Sequence, residues 1–168
     1  LRVIDVSDPA HPIEVGHWQG AEAASQLAVA GELAYLIVEG GLAVLDVSDP
    51  TTPQEVAFYE VAANDVAVDG GYAYLAAGRG LQILSLAEPD DPQLVGFVEE
   101  YDRGNRVAVA GDTIYMTVQE ELCSPTGCVI QSRLVVIDVT DRTQPRRLAR
   151  IDYFEATDLV IDGGQLYA

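Results

Sequence analysis

One motif recurs four times and constrains most of what this chain can fold into. Leu1 opens LRVIDVSDPAHP, Leu42 opens LAVLDVSDPTTP, Leu81 opens LQILSLAEPDDP and Leu134 opens LVVIDVTDRTQP. In the second copy Leu42, Val44 and Asp46 project to one side of an extended chain, and Ala43, Leu45 and Val47 to the other. Both faces are apolar apart from the Asp, which predicts a short strand covered on both sides. Ser48, Asp49 and Pro50 then break the strand, and Pro53 closes the break. Short polar side chains bond nearby backbone amides and proline fixes φ, so this stretch is a corner built from turn chemistry. Pro12, Pro53, Pro92 and Pro145 fill the last column of all four copies, while Arg142 replaces the earlier proline once.

Each motif is followed by a second strand, at 13–18, 54–59, 93–98 and 146–151, in which Val15, Val56, Val95 and Leu148 share a column. A second hairpin lies between successive motifs. QLAVAG (26–31), DVAVDG (65–70), RVAVAG (106–111) and DLVIDG (158–163) each lead to a strand carrying Tyr35, Tyr74, Tyr115 or Tyr167. The glycines mark the turns, and the tyrosines suit a half-buried strand with the hydroxyl at the rim. The unit is thus four short strands, repeated at spacings of 41, 39 and 53 residues. A period near 40 with four strands per unit predicts an all-β propeller, one blade per unit. A β-sandwich also has many short strands, but does not explain their recurrence in fixed order.

The string L-x-V-I/L-D-V-S-D-P-x-x-P, alternating with D-V-A-V-x-G-x-x-A-Y-L, resembles the LVIVD-repeat family. The resemblance covers nearly the whole chain outside 119–133. It implies propeller repeats of bacterial and archaeal proteins that are often secreted or displayed on the cell surface. It carries over no catalytic residues. The third copy departs from the pattern at Ser85, Ala87 and Glu88.

With the Val-Ala-Val strand innermost, the chain reads as three complete antiparallel blades, roughly 26–59, 65–98 and 106–152, flanked by two half-blades. Both ends fall inside strands, so the expectation is an open arc cut from a larger ring, the rest of the propeller lying in a longer chain. Such an arc would leave Ile4, Val6 and Leu159 uncovered, and the isolated chain is expected to aggregate or unfold readily. Strand order also sorts the loops. The Gly turns and Pro corners share one face. The opposite face carries the connections 19–25, 60–64, 99–105 and 153–157, with 38–41, 76–80 and 119–133. The first face repeats; the second varies, which makes it the candidate recognition surface.

The formal charge is −18, with nine Arg and no Lys. Nucleic acid and anionic membrane surfaces need a basic footprint, so neither is an expected partner. No apolar run approaches the ~20 residues of a membrane-spanning helix. The acids are spread over turns and surfaces, as in a secreted or halophilic protein kept soluble by carboxylates, rather than gathered as a cation site. The corner carboxylates, such as Asp46 and Asp49, are read as holding turn amides, because Ca²⁺ needs about six to eight oxygens. His11 and His17 lack a repeated partner and are read as surface residues. The glycines follow the repeat and form no phosphate loop.

Two features remain as candidates for function. Cys123 and Cys128 flank a short turn in the long loop 119–133 and are read as a disulfide clamping a protruding hairpin, which implies an oxidising compartment. A zinc site would need further ligands. With the loop EEYDRGN at 99–105, the hairpin presents Tyr101, Arg103, Glu120 and Glu121 on one face, a mixture suited to recognition. Asp65, Arg106 and Asp158 start the channel-lining strands, with Gln26 in the same column, and form either solvated strand ends or a ring able to hold a polar ligand. The expectation is therefore a non-enzymatic extracellular or cell-surface scaffold, with no cofactor or metal, that binds protein or carbohydrate. The alternatives are a hydrolase or lyase at the channel mouth and a structural spacer in a larger surface protein.

Overall fold

The computed structural model describes residues 1–20, 23–100, 103–124 and 127–168. Among the described residues it contains sixteen strands and no helix. Strands β3 (Gln26–Ala30), β4 (Leu33–Val38), β5 (Gly41–Asp46) and β6 (Gln54–Glu60) form the first complete blade. The second is β7 (Ala63–Asp69), β8 (Tyr72–Ala77), β9 (Gly80–Ser85) and β10 (Gln93–Glu99). The third is β11 (Arg103–Ala110), β12 (Thr113–Ser124), β13 (Gly127–Asp138) and β14 (Arg146–Asp152). All pairs are antiparallel between sequential neighbours. The half-blades are β1 (Arg2–Asp5) with β2 (Ile13–His17) and β15 (Val160–Asp162) with β16 (Gln165–Tyr167). These two pairs stand as separate sheets, so the arc is open, as the sequence predicts.

The core lies between blades, which is why the motif strand is apolar on both faces. Tyr35, Ile37, Leu42 and Val44 of the first blade meet Val66 and Leu84 of the second. Ile83, adjacent to Leu84 but on the other face, packs with Val107, Met116 and Ile137 of the third. Leu1 and Trp18 of the first half-blade cover Leu36 and Leu45. The tyrosine column is more deeply buried than a rim position: Tyr35 and Tyr74 are 2% and 0% exposed. Tyr115 is half-buried and Tyr167 exposed: Tyr35 and Tyr74 pack with a complete following blade, whereas only the pair β15–β16 follows Tyr115. Ile4 and Val6 are exposed as expected. Leu159 is not: it is buried, because the strand that follows it lies beside β11.

The corners are held by their own acids. Asp5, Asp46 and Asp138 accept from the amides of Ser7, Ser48 and Thr140 at 2.8, 2.8 and 2.9 Å. Asp8, Asp49 and Asp141 accept from Ala10, Thr51 and Thr143 at 3.0, 2.9 and 2.9 Å. In the third copy the Ser85 hydroxyl substitutes weakly, at 3.4 Å from the Ala87 amide. The backbone bond from Asp91 to the Glu88 carbonyl keeps that corner in the shape of the others.

Asp138 also takes both arms of Arg146, at 2.9 and 2.8 Å. The Thr140 amide and hydroxyl, then Arg146, lower its pKa to about 2. A carboxyl whose folded pKa lies below its unfolded value stabilises the fold above the unfolded pKa, and that contribution is lost as pH falls through the folded one. Asp138→Asn should therefore lose less melting temperature than the parent between about pH 5 and about pH 2. An equal loss in both proteins would contradict this role.

Every outer strand carries one bulge at the same place. Pairing skips Val15, Val56, Val95 and Leu148, the shared column of the sequence. The bulge bends the outer strand, and the next residue is always small: Gly16, Ala57, Gly96 or Ala149. The following blade's corner presses there. A Cβ on Gly16 would lie 2.1 Å from the Pro50 carbonyl oxygen, and one on Gly96 1.9 Å from that of Arg142. Arg142, the residue in place of proline, lies over the Tyr72 ring at 5.4 Å and pairs with Asp112 at 2.7 Å.

Candidate functional site

Strands β12 and β13 run twelve residues each, and their pairing continues without a break to Ser124 opposite Gly127. Cys123 and Cys128 face each other across this ladder and form a disulfide. The outer part of the hairpin therefore projects beyond the six-residue second and third strands of the neighbouring blades. At its base, Arg133 is paired with Glu120 and with Asp152 at 3.2 Å, and Asp152 also takes Arg150 at 3.0 Å. Glu120 thus belongs to the ionic network that anchors the hairpin on β14.

Of the other expected recognition residues, Tyr101 lies outside the described residues. Arg103 opens β11 opposite Gln119 and is exposed. Glu121 is exposed opposite Ile130. The Glu121 carboxylate and the two cysteine sulfurs lie within 4.8 Å of one another. Because those sulfurs are bonded to each other, they offer no thiolate to a metal.

The hairpin surface contains a feature that the sequence reading missed. Leu122, Val129 and Ile130 are 41%, 64% and 66% exposed. With Tyr153, Glu155, Gln131 and Ser132 they line a cleft of about 320 Å³. A second cleft of about 450 Å³ shares Ile130, Ser132 and Glu155 with it and continues to Thr157. Tyr153 is 85% exposed and has φ of 58°, the one positive φ outside glycine among the described residues. A bulky residue held in the left-handed region costs about 1 kcal/mol or more and is most often retained where its position matters. The adjacent bond from the Phe154 amide to the Ser132 carbonyl, 3.0 Å, fixes this segment against the hairpin. The available signal was a pair of apolar residues, Val129 and Ile130, in strand that outruns the normal blade.

Of the channel-mouth residues, Asp65 and Arg106 are engaged in joining blades. Inner-strand bulges at Asn64 and Asn105 turn the next residues toward the following blade. Asp65 is buried rather than a solvated strand end. Its Oδ1 accepts from the Val66 amide at 2.9 Å and its Oδ2 from the Val107 amide of the next blade at 3.0 Å. Burial raises its pKa, opposed by these amides and by Arg106. Asn64 donates to the Gly104 carbonyl at 2.6 Å, and Arg106 Nε to the Thr157 carbonyl at 2.8 Å. Asp158 is exposed and accepts from the Leu159 amide at 2.9 Å.

The computationally designed Ika4 protein superposes with a TM-score of 0.67 at 13% identity, over 92% of this chain and 89% of that one. The designed Ika8 protein gives 0.65 at 14% identity, over 91% and 45%. A hypothetical selenium-binding protein from Sulfolobus tokodaii gives 0.60 at 14% identity, over 85% and 44%. This chain thus spans less than half of the last two, and likeness at such identity shows the fold alone. No curated protein sequence matches the chain. The LVIVD-repeat model matches residues 1–19, 21–61 and 62–100, more than half the chain, coinciding with the first half-blade and the first two complete blades. The chain belongs to the LVIVD-repeat family.

Proposed function

We propose that this chain is a non-enzymatic scaffold, acting outside the cell, that binds a protein or carbohydrate partner on the face carrying the β12–β13 hairpin. One observation carries the reading: Leu122, Val129, Ile130 and the strained Tyr153 form an exposed apolar surface beside a cleft, on the one blade whose strands outrun the repeat. Aromatic and aliphatic anchors in a pocket are what a binding interface uses at its centre. The disulfide supports an oxidising compartment. The hydrolase or lyase alternative would use the carboxylates at the channel mouth, where both oxygens of Asp65 are occupied by backbone amides and Asp158 is exposed.

Ile130→Asp and Tyr153→Ser, assayed on glycan arrays and against immobilised extracellular proteins, should weaken binding tenfold or more while shifting the melting temperature by no more than about 2 °C. Binding that survives both substitutions would remove the hairpin face from the reading. A spacer would bind in neither form.

A further inference from the structure

We propose that the partner is a protein, bound as an extended segment that adds a strand to the outer edge of β13 at Cys128 and Ile130 and brings a basic side chain to Glu155. This rests on the hairpin face being the recognition surface, and it selects polypeptide over carbohydrate.

The two long strands outrun their neighbour. β14 pairs with β13 as far as Arg133 opposite Asp152, and the Phe154 amide adds a bond to the Ser132 carbonyl at 3.0 Å. Tyr153, with φ of 58°, turns the chain out of the ladder there. From Gly127 to Gln131, β13 pairs with β12 on its inner side and, among the described residues, with no strand on its outer side. In an antiparallel strand, alternate residues turn their backbone groups to opposite neighbours. The Ser132 carbonyl points toward β14, so the amides and carbonyls of Ile130 and Cys128 point to the same, open side. The spacing of the cysteines agrees. Their Cα atoms are 4.0 Å apart, the close approach of a pair that exchanges no backbone bonds, which turns the Cys128 groups outward. Two rungs of the ladder are thus unused, in line with the bond that Phe154 makes. A strand edge of this kind is a template for another strand.

The cleft of about 320 Å³ lies along that edge. Successive residues of β13 face opposite sides of the sheet, yet Val129 and Gln131 line the cleft from one side and Ile130 and Ser132 from the other. A groove at the strand's edge touches both. An added strand would set alternate side chains against Val129 and against Ile130. Charge complementarity says what else it carries. Glu155 in the cleft, and Glu121 opposite Ile130, are exposed and have no ion-pair partner among the described residues. In a chain of formal charge −18, these carboxylates favour Lys or Arg between apolar residues. A second copy of the same edge would bring its own Glu121 and Glu155 against them.

The test selects short phage-displayed peptides on the whole chain, with a glycan array run beside them. The selected peptides should alternate apolar residues with Lys or Arg. A bound peptide should slow hydrogen exchange at the Ile130 and Cys128 amides by about tenfold or more. Ile130→Pro removes the outward N–H and leaves the bonds to β12 in place, whereas Ile130→Ala removes only the side chain. Both should keep the parent's circular dichroism, and the proline should weaken peptide binding about tenfold more than the alanine, the worth of one hydrogen bond. Glu155→Gln should weaken it about threefold, and less at high salt. Equal losses in Ile130→Pro and Ile130→Ala overturn strand addition, as do bound peptides that leave both amides unprotected. A selection that yields no peptide overturns it as well, and a glycan bound at this face in that case leaves the recognition surface standing. Self-association that protects the same amides would make a second copy the occupant and overturn the proposal. Binding that survives Ile130→Asp and Tyr153→Ser would instead remove the reading beneath it.

Discussion

Gly96→Val is expected to cost about 3 kcal/mol or more, near the upper end of what overpacking does. The added Cβ would sit 1.9 Å from the backbone oxygen of Arg142 and 3.1 Å from its carbonyl carbon. No rotamer change relieves a clash between a Cβ and a main-chain carbonyl, so the corner of the third blade must move. That corner also carries Arg142 over Tyr72 and onto Asp112, and those contacts move with it. Gly96→Ala introduces the same clash without the branches and should cost less. The equivalent Ala57 shows that the column tolerates one methyl where a different corner, that of the second blade, faces it. Urea unfolding checks this, and a loss under about 0.5 kcal/mol for Gly96→Val would show that the corner does not press on the bulge.

Asp65→Ala is the second large expected effect, about 3 kcal/mol, because it leaves the Val66 and Val107 amides without acceptors at buried positions. Asp65→Asn keeps one carbonyl oxygen and should fall between the parent and Asp65→Ala. The pH dependence separates this residue from the corner acids. Burial holds the Asp65 pKa above its ordinary value, so protonation favours the fold and its ionisation disfavours the fold as pH rises through the folded pKa. Asp138 acts with the opposite sign. If Asp65→Ala melts with the parent, the carboxylate is not what joins the second blade to the third.

The blades and corners were legible because they rest on local chemistry. An Asp two residues before an amide, a proline that closes the turn and a glycine such as Gly111 with φ of 57° depend on few neighbours. What the sequence did not reveal depends on the adjacent blade. The Val15, Val56, Val95 and Leu148 column is a bulge, yet bulged and regular positions have the same apolar character in sequence. Asp65 begins a strand, as solvated ends do, and only the register slip at Asn64 aims it into the next blade. At the candidate site the cysteines announced the hairpin. Glu120 looked like a surface acid because its partner Arg133 lies across the hairpin. Tyr153 was passed over because its exposure follows from a backbone conformation that no side-chain pattern records.

In the proposed function, the face of corners and turns is structural and the face of the hairpin is the recognition surface. Thermal unfolding of the chain with residues 121–130 replaced by an Asn-Gly turn, which keeps Glu120 opposite Gln131, tests that division most directly. Glu120, Arg133 and Asp152 remain, so the base of the hairpin keeps its ionic network. The expected result is a melting midpoint within about 3 °C of the parent, because Leu122, Val129 and Ile130 are exposed and none of the described residues removed belongs to a buried core cluster. A loss of several kcal/mol would show that the hairpin is part of the fold, and the assignment of recognition to that face would fail.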